Sequence, residues 1–324
     1  MPPPETQNPP PVAAGEGQKA SDFPKRLNRY SNAKSHTASV LAALGKAKAK
    51  ALGLPYKRIT ECGDWLKFRD YYTIGQIKLA GASFCKKHLV CSLCAIRRAS
   101  RLMASYLERF QVVRKSRPDL CPVFVTLTVR NSHNLEQVLE HLLACLRLLH
   151  RRRSRQNQPS VMHSVEGGVY SIELTHDAAT GWHPHVHAIW LVSHHHSAVT
   201  DPTAWALREL SPEWHRITGD SFIVHARPVD ADGNLPDDID PHAGGFAEVF
   251  KYALKPSELG VDRLIEAYPH LAGKRLIGSF GLFRGVPEPE NLADDLTDFD
   301  GLPYEEFLVS FLAGKYRRIE NVNA

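Results

Sequence analysis

The segment WHPHVH at 182–187 contains the side chains in this sequence that are best suited to bind a metal ion. The apolar residues that follow it predict a β-strand, and side chains alternate between the two faces of a strand. His185 and His187 therefore project from one face, where their imidazoles can share a divalent ion. An isolated His-x-His pair is more often only a polar strand surface, so the pair needs support from other segments.

A carboxylate on the preceding strand gives that support. The segment GVYSIELT at 168–175 predicts a strand, and DAATGW between the two strands is typical of a turn. An antiparallel hairpin would bring Glu173 beside His185 and His187, making a three-ligand site with open positions for water or a phosphate oxygen. His183 stays open as a fourth ligand, a hydrogen-bond donor to the ligands or a DNA contact.

A second polar constellation lies on a helix predicted over 243–254. Glu248, Tyr252 and Lys255 are spaced i, i+4 and i+7 and share one helical stripe. A tyrosine loses its proton near pH 10, so a nucleophilic Tyr252 needs positive charge from a metal or from Lys255. Lys255 would also stabilise charge that develops on a phosphate oxygen. An ordinary amphipathic helix with a surface Glu–Lys pattern is the plainer alternative.

Four cysteines upstream have the spacing of a zinc site. Cys91 and Cys94 are separated by two residues, and Cys62 and Cys85 precede them. The sequence predicts a structural Zn²⁺ site, in which His88 could replace one thiol. Four unrelated reduced cysteines are the alternative.

The elements that must position these groups indicate an α+β fold. The run VFVTLTV at 123–129 predicts a strand, and 135–149 predicts an amphipathic helix. The order of strand, helix, strand, strand, helix, strand, helix favours a central antiparallel sheet with flanking helices.

The 324 residues divide by composition into four parts. Residues 1–35 are rich in Pro, Gly and small polar residues and predict a disordered tail. Residues 36–118 predict a helical, cysteine-rich module organised by zinc. Residues 119–286 contain the histidine and tyrosine motifs, and 287–324 predict an acidic, helical tail.

Charge and hydropathy bound the partners. Lys and Arg total 40 against 35 Asp and Glu, giving a net charge of +5 and a sequence pI of about 8.8. This excess permits a polyanionic partner. No apolar run is long enough to span a membrane and no signal-like start is present, so we expect a cytoplasmic protein without membrane contact.

Two arginine groups are candidates for neutralising DNA phosphates. One follows the cysteine cluster and the other follows the helix at 135–149. A solvated charge run is the alternative for each group. The candidates are Arg97, Arg98, Arg101, Arg151, Arg152 and Arg153.

Three motifs in order now carry a family resemblance: FVTLTVRN at 124–131, HPHVH at 183–187 and KYALK at 251–255. With them the chain resembles the rolling-circle replication initiators of small bacterial plasmids, in the HUH endonuclease superfamily (histidine, hydrophobic residue, histidine). The cysteine cluster and LIGSFGLFR at 276–284 extend the resemblance over about 60–285. It implies a ferredoxin- or RRM-like palm and makes 119–286 the nicking-joining domain.

The resemblance also implies roles for the residues singled out above. His185 and His187 would hold Mg²⁺ or Mn²⁺ with Glu173 as a further ligand, and Tyr252 would attack the scissile phosphodiester. The products would be a 5′-phosphotyrosyl enzyme and a free 3′-hydroxyl that primes a polymerase. The motif contains a single tyrosine, and Glu248 would activate the water that ends the cycle.

The implied partners are plasmid origin DNA, single-stranded or extruded as a cruciform, and a host helicase and polymerase. The sequence leaves the oligomeric state open. A relaxase or transposase with the same active site is one alternative. A zinc-containing nucleic-acid-binding regulator, in which the histidines and Tyr252 are structural, is the other.

Overall fold

Two antiparallel sheets organise the chain in this computed structural model. The residues that the structure describes are 20–155, 157–229, 245–246, 249–250, 259–287, 292 and 302–319. The strands are β1 (Trp65–Tyr71), β2 (Gln76–Ala82), β3 (Leu120–Thr128), β4 (Gly167–Asp177), β5 (Gly181–Ser193), β6 (Val224–Pro228), β7 (Ile277–Gly281), β8 (Glu305–Leu312) and β9 (Lys315–Ile319). The helices are α1 (Phe23–Ala51), α2 (Tyr56–Thr60), α3 (Ser92–Ser116), α4 (Leu135–Arg152), α5 (Ser197–Thr200), α6 (Pro202–Trp205), α7 (Ser211–Thr218) and α8 (Val261–Leu271).

The larger sheet has the strand order β6-β3-β5-β4-β7, with every neighbouring pair antiparallel. Strand β3 is an interior strand between β6 and β5, and its β-branched and aromatic residues suit a strand whose two faces are both covered by other elements. The predicted α+β class with a central antiparallel sheet and flanking helices is confirmed.

The two faces of this sheet have different covers. Val123, Val125 and Leu127 face a core that is shared with α4, α7 and α8. The opposite face carries Phe124, which packs in a second core with α3. Phe246, Val249 and Phe250 belong to that second core, so the chain just before residue 251 lies on the same side of the sheet as α3.

The smaller sheet has the strand order β2-β1-β8-β9. Its inner face packs on α1, and the stacked rings of Phe68 and Phe307 lie 5.6 Å apart between centroids. The helical, cysteine-rich module predicted over 36–118 also contains strands, since this region contributes the β1–β2 hairpin. The helical tail predicted over 287–324 is wrong for the described residues 302–319, because β8 and β9 are strands whose alternating apolar residues extend the sheet beside β1.

The prediction of a disordered tail over 1–35 extends too far. Helix α1 begins at Phe23, with a proline in its first turn, and kinks at Gly45, where φ is 69° and ψ is 160°. Tyr30 and Ala33 are buried in the core of the smaller sheet. The average composition of 1–35 is polar, but apolar side chains in its last part share one helical face and are buried. Residues 1–19 lie outside the described residues.

None of the helices in the described part of the chain combines the length and the apolar character needed to cross a lipid bilayer.

Candidate functional site

Strands β4 and β5 place the carboxylate and the two imidazoles on one face of the larger sheet. Glu173 lies directly opposite His185, and Ser171 lies opposite His187. Side chains of directly opposed residues share a face, so this register follows the alternation that the sequence predicted. Glu173 Oε2 lies 2.8 Å from His187 Nε2, and both side chains are mostly shielded from solvent.

His187 is held by neighbours on both sides. Thr126 Oγ1 lies 3.3 Å from His187 Nδ1. The Phe124 ring stacks near the imidazole, with centroids 5.7 Å apart. Thr126 and Phe124 orient the imidazole ring, as a hydrogen-bonding partner on the other ring nitrogen does for histidines that bind metals, and leave Nε2 beside Glu173.

His185 lies next to two other polar groups. Thr175 Oγ1 lies 3.3 Å from its Nε2, and the His183 ring centroid is 4.1 Å away. Burial and the two neighbouring imidazoles lower the pKa of His185 to about 3. Burial also lowers the pKa of His183. Both rings are therefore neutral at pH 7, which is the form that binds metals.

The side chains of Glu173, His185 and His187 are of the types that bind a hard divalent ion. Their ligand atoms do not all lie close to one another. Two imidazoles and a carboxylate with open positions suit such an ion. Glu173 and His187 are in contact, whereas the centroids of the His185 and His187 rings are 5.9 Å apart. Among the described residues, only the cysteine group below brings three or more ligand atoms within 4.8 Å of one another.

The chain at residues 249–250 is fixed on this same face of the sheet. Ser171 Oγ donates a 2.6 Å hydrogen bond to the Val249 carbonyl oxygen. The Phe250 ring stacks on Tyr106 of α3, with centroids 5.2 Å apart. The predicted catalytic residues Glu248, Tyr252 and Lys255 themselves lie outside the described residues.

Sequence reasoning missed two side chains on the edge strand β6. His225 lies opposite Thr126, and Arg227 lies opposite Phe124, so both share the face of His187. The Arg227 guanidinium carbon lies 4.7 Å from the centroid of the Phe124 ring. The position of this strand beside β3 depends on pairing between distant segments, which a local sequence pattern does not show.

The four cysteines form a compact group. Sγ–Sγ distances are 3.5 Å for Cys62–Cys94, 3.6 Å for Cys85–Cys94 and 3.6 Å for Cys62–Cys91. A zinc ion bound to four thiolates at about 2.3 Å requires sulfurs roughly 3.8 Å apart, so the spacing fits a tetrahedral site. All four are buried free thiols and could hold a metal such as zinc.

Local structure explains how the sulfurs meet. Cys62 follows α2, Cys85 follows β2, and Cys91 and Cys94 lie at the start of α3. The Cys85 backbone N–H donates to Cys62 Sγ at 3.3 Å, which stabilises negative charge on that sulfur. His88, the alternative ligand in the sequence, is not part of the group of four.

Three of the predicted DNA-binding arginines form hydrogen bonds or ion pairs with other groups of the protein. Arg97 is 4% exposed and donates to the Leu292 carbonyl oxygen at 2.8 Å. Arg152 forms a 3.0 Å ion pair with Glu213, and Arg153 donates to backbone carbonyl oxygens. These placements argue against a phosphate contact for the three.

The remaining candidates are more open to solvent. Arg151 is exposed, whereas Arg98 and Arg101 are half-buried along α3.

In comparisons with known proteins, the chain is similar to replication proteins. The Rep_1 family model, described as "Replication protein", matches residues 76–308. A "Protein rep" from Streptococcus pneumoniae serotype 2 (strain D39 / NCTC 7466) is 28% identical over 237 residues, covering 71% of this chain and 70% of the relative. A "Protein rep" from Bacillus amyloliquefaciens is 25% identical over 288 residues, covering 81% and 82%. No solved structure matches the chain.

Proposed function

The chain belongs to the replication protein family, and from this premise we propose that it initiates plasmid rolling-circle replication by cutting and rejoining one strand of origin DNA. The family match confirms the resemblance drawn from the three motifs. The observation that carries the proposed chemistry is the shared face of Glu173, His185 and His187, with the chain before residue 251 fixed against it.

In the proposed reaction, the Tyr252 oxygen bonds to the scissile phosphorus as the bond from phosphorus to the 3′ oxygen breaks. The tyrosine proton is lost to solvent, and the departing 3′ oxygen takes up a proton, giving a 3′-hydroxyl and a 5′-phosphotyrosine. Mg²⁺ or Mn²⁺ held by His185, His187 and Glu173 would polarise the phosphodiester. Lys255 would stabilise negative charge on the phosphate oxygens.

The fixed position of Val249 supports Tyr252 as the nucleophile. Val249 is hydrogen-bonded to Ser171, which lies opposite His187 in the sheet. Three residues of chain span at most about 11 Å, and neighbouring strands lie about 4.8 Å apart. This fixed point, three residues before Tyr252 in the sequence, lies beside the strands that carry the two histidines, which supports Tyr252 as the nucleophile.

The proposal extends to the cysteine group and to the partners. Cys62, Cys85, Cys91 and Cys94 would hold a structural Zn²⁺, since their sulfurs already have tetrahedral spacing. The 3′-hydroxyl would prime a host polymerase while a host helicase unwinds the origin.

The His187→Ala variant is expected to lose nicking entirely while retaining binding to duplex origin DNA. The imidazole is one of the three proposed metal ligands and the one in contact with Glu173. The assay incubates a labelled origin oligonucleotide with protein and Mn²⁺ and separates products on a denaturing gel. The wild-type protein should give a cleaved strand and a slowly migrating protein–DNA adduct.

A matched control is His195→Ala, which removes an exposed imidazole beyond the end of β5 and should leave cleavage unchanged. Full nicking by the His187→Ala protein would remove this histidine from the site. Binding of origin DNA by the wild-type protein without cleavage or adduct would favour a non-catalytic regulator.

Glu248→Ala is expected to leave the first cleavage intact and to impair release of the finished circle. Glu248, four residues before the tyrosine in the sequence, would activate the water that hydrolyses the final phosphotyrosine. Release is measured as free circular strand per adduct in a complete replication reaction. Loss of the first cleavage would show that Glu248 acts earlier in the cycle.

A further inference from the structure

The smaller sheet has an outer face, opposite its packed core, that combines apolar and basic side chains. Cross-strand pairing aligns these side chains in rows across β1, β8 and β9. The outer face comprises Trp65, Lys67, Arg69, Glu306, Leu308, Ser310, Leu312, Lys315, Arg317 and Ile319.

The indole ring of Trp65 is exposed to solvent on this face. It is 42% exposed, whereas each of the other four tryptophans is at most 2% exposed. Its ring lies over Gly81 of β2, where a Cβ atom would stand 3.6 Å from the ring. Leu308 and Ile319 lie nearby with 38% and 40% exposure. An aromatic ring held with one side accessible offers a planar surface for stacking.

The charge on the outer face is positive. Lys67 and Arg69 share the single carboxylate of Glu306, at 3.1 Å and 2.8 Å. Lys315 and Arg317 add two further exposed cations on β9. Tyr304 covers the Arg69 end of the face, with its ring centroid 4.2 Å from the guanidinium carbon. The open part therefore runs from Trp65 toward β9.

We propose that this outer face binds single-stranded DNA, as a contact separate from the nicking site. Single strands are bound without sequence preference by aromatic rings that stack on bases and by cations that contact phosphates. Trp65 supplies the ring, and Lys315 and Arg317 supply cations beside it, since Arg317 and Trp65 flank Ser310 in one cross-strand row.

A second copy of this chain fits the face less well. A symmetric dimer brings the same patch of each copy together, so the excess of lysine and arginine on one face would meet the same excess on the other. Like charges opposed across an interface disfavour association. The charge pattern instead complements a polyanion.

The test uses the full-length chain and a fluorescent 20-nucleotide oligo(dT), which contains no origin sequence, in buffer without Mg²⁺ or Mn²⁺. We expect Trp65→Ala to weaken binding about tenfold, while Trp65→Phe retains most of it. The Lys315→Ala/Arg317→Ala variant should reduce the slope of log K against log salt concentration by about 1.4, because each phosphate contact contributes about 0.7 for single strands.

The matched control is Arg208→Ala/Arg216→Ala, which removes two exposed charges far in sequence from this sheet and should leave the slope unchanged. In the wild-type protein, oligo(dT) should also protect tryptophan fluorescence from acrylamide, because Trp65 alone among the five is exposed.

If the Trp65→Ala and Lys315→Ala/Arg317→Ala variants bind oligo(dT) with the wild-type affinity and the wild-type salt dependence, the proposal is wrong. A change in oligomeric mass of those variants without a change in DNA binding would overturn it as well, in favour of an interface between copies. None of these measurements involves cleavage, so their outcome is independent of the histidine site.

Discussion

Tyr252→Phe is expected to abolish the covalent protein–DNA adduct while leaving binding of origin DNA near the wild-type level. Phenylalanine keeps the ring and removes only the oxygen that would bond to phosphorus, so no transesterification can follow. Cleavage should fall below detection. The measurement is the denaturing-gel assay with Mn²⁺, paired with a binding titration of the same oligonucleotide.

The control is Tyr268→Phe, which makes the same change at a partly buried tyrosine on α8. That variant should form the adduct at the wild-type rate. An adduct that persists in Tyr252→Phe would show that another nucleophile attacks the DNA, and the proposed mechanism would then be wrong.

Cys94→Ser is expected to abolish zinc binding and to destabilise the smaller sheet. Cys94 is fully buried and its sulfur lies within 3.6 Å of two other thiols. A bound structural zinc contributes folding free energy directly. If the free energy of unfolding falls by about 3 kcal/mol, the melting temperature is lowered by roughly 6–12 °C. Elemental analysis should find about one zinc ion per wild-type chain and none in the variant.

Limited proteolysis should then cut preferentially between residues 60 and 110, and chelation of the wild-type protein should reproduce this pattern. Cys145→Ser is the matched control, because Cys145 is buried on α4 outside the group of four. It should keep its zinc. Wild-type protein without bound zinc, or with stability unaffected by chelators, would contradict the zinc site.

Local patterns predicted the parts of the fold that depend on neighbouring segments. The strand pattern at 168–175 and the WHPHVH segment, joined by a turn, were enough to predict that Glu173 lies beside His185 and His187, and the structure pairs Glu173 with His185. The two strands are adjacent in the chain and a hairpin leaves few registers that bury the correct faces. The cysteine spacing likewise identified the four thiols that the structure brings together.

The errors arose where burial and distant pairing decide the outcome. The acidic composition of 287–324 concealed the alternation that lets β8 pair with β1. Arg97 follows the cysteine cluster in a basic run, yet its guanidinium is buried against Leu292. Charge can be read from a sequence, whereas the side of a helix that meets another segment depends on the whole fold. Arg227 was missed for the same reason.

The pairing of β1 with β8 also affects how this chain can be made. Lys67 and Glu306, which join the two strands, are 239 residues apart. A ribosome adds about 5–20 residues per second, so the first strand waits roughly 12–48 seconds for its neighbour to emerge. During that interval the edge of β1 that pairs with β8 is unpaired, although every strand of the larger sheet, the last being β7, has already been synthesised. A nascent chain that stops before residue 305 would therefore lack the stacking partner of Phe68, Phe307, and would become a substrate for chaperones or proteases.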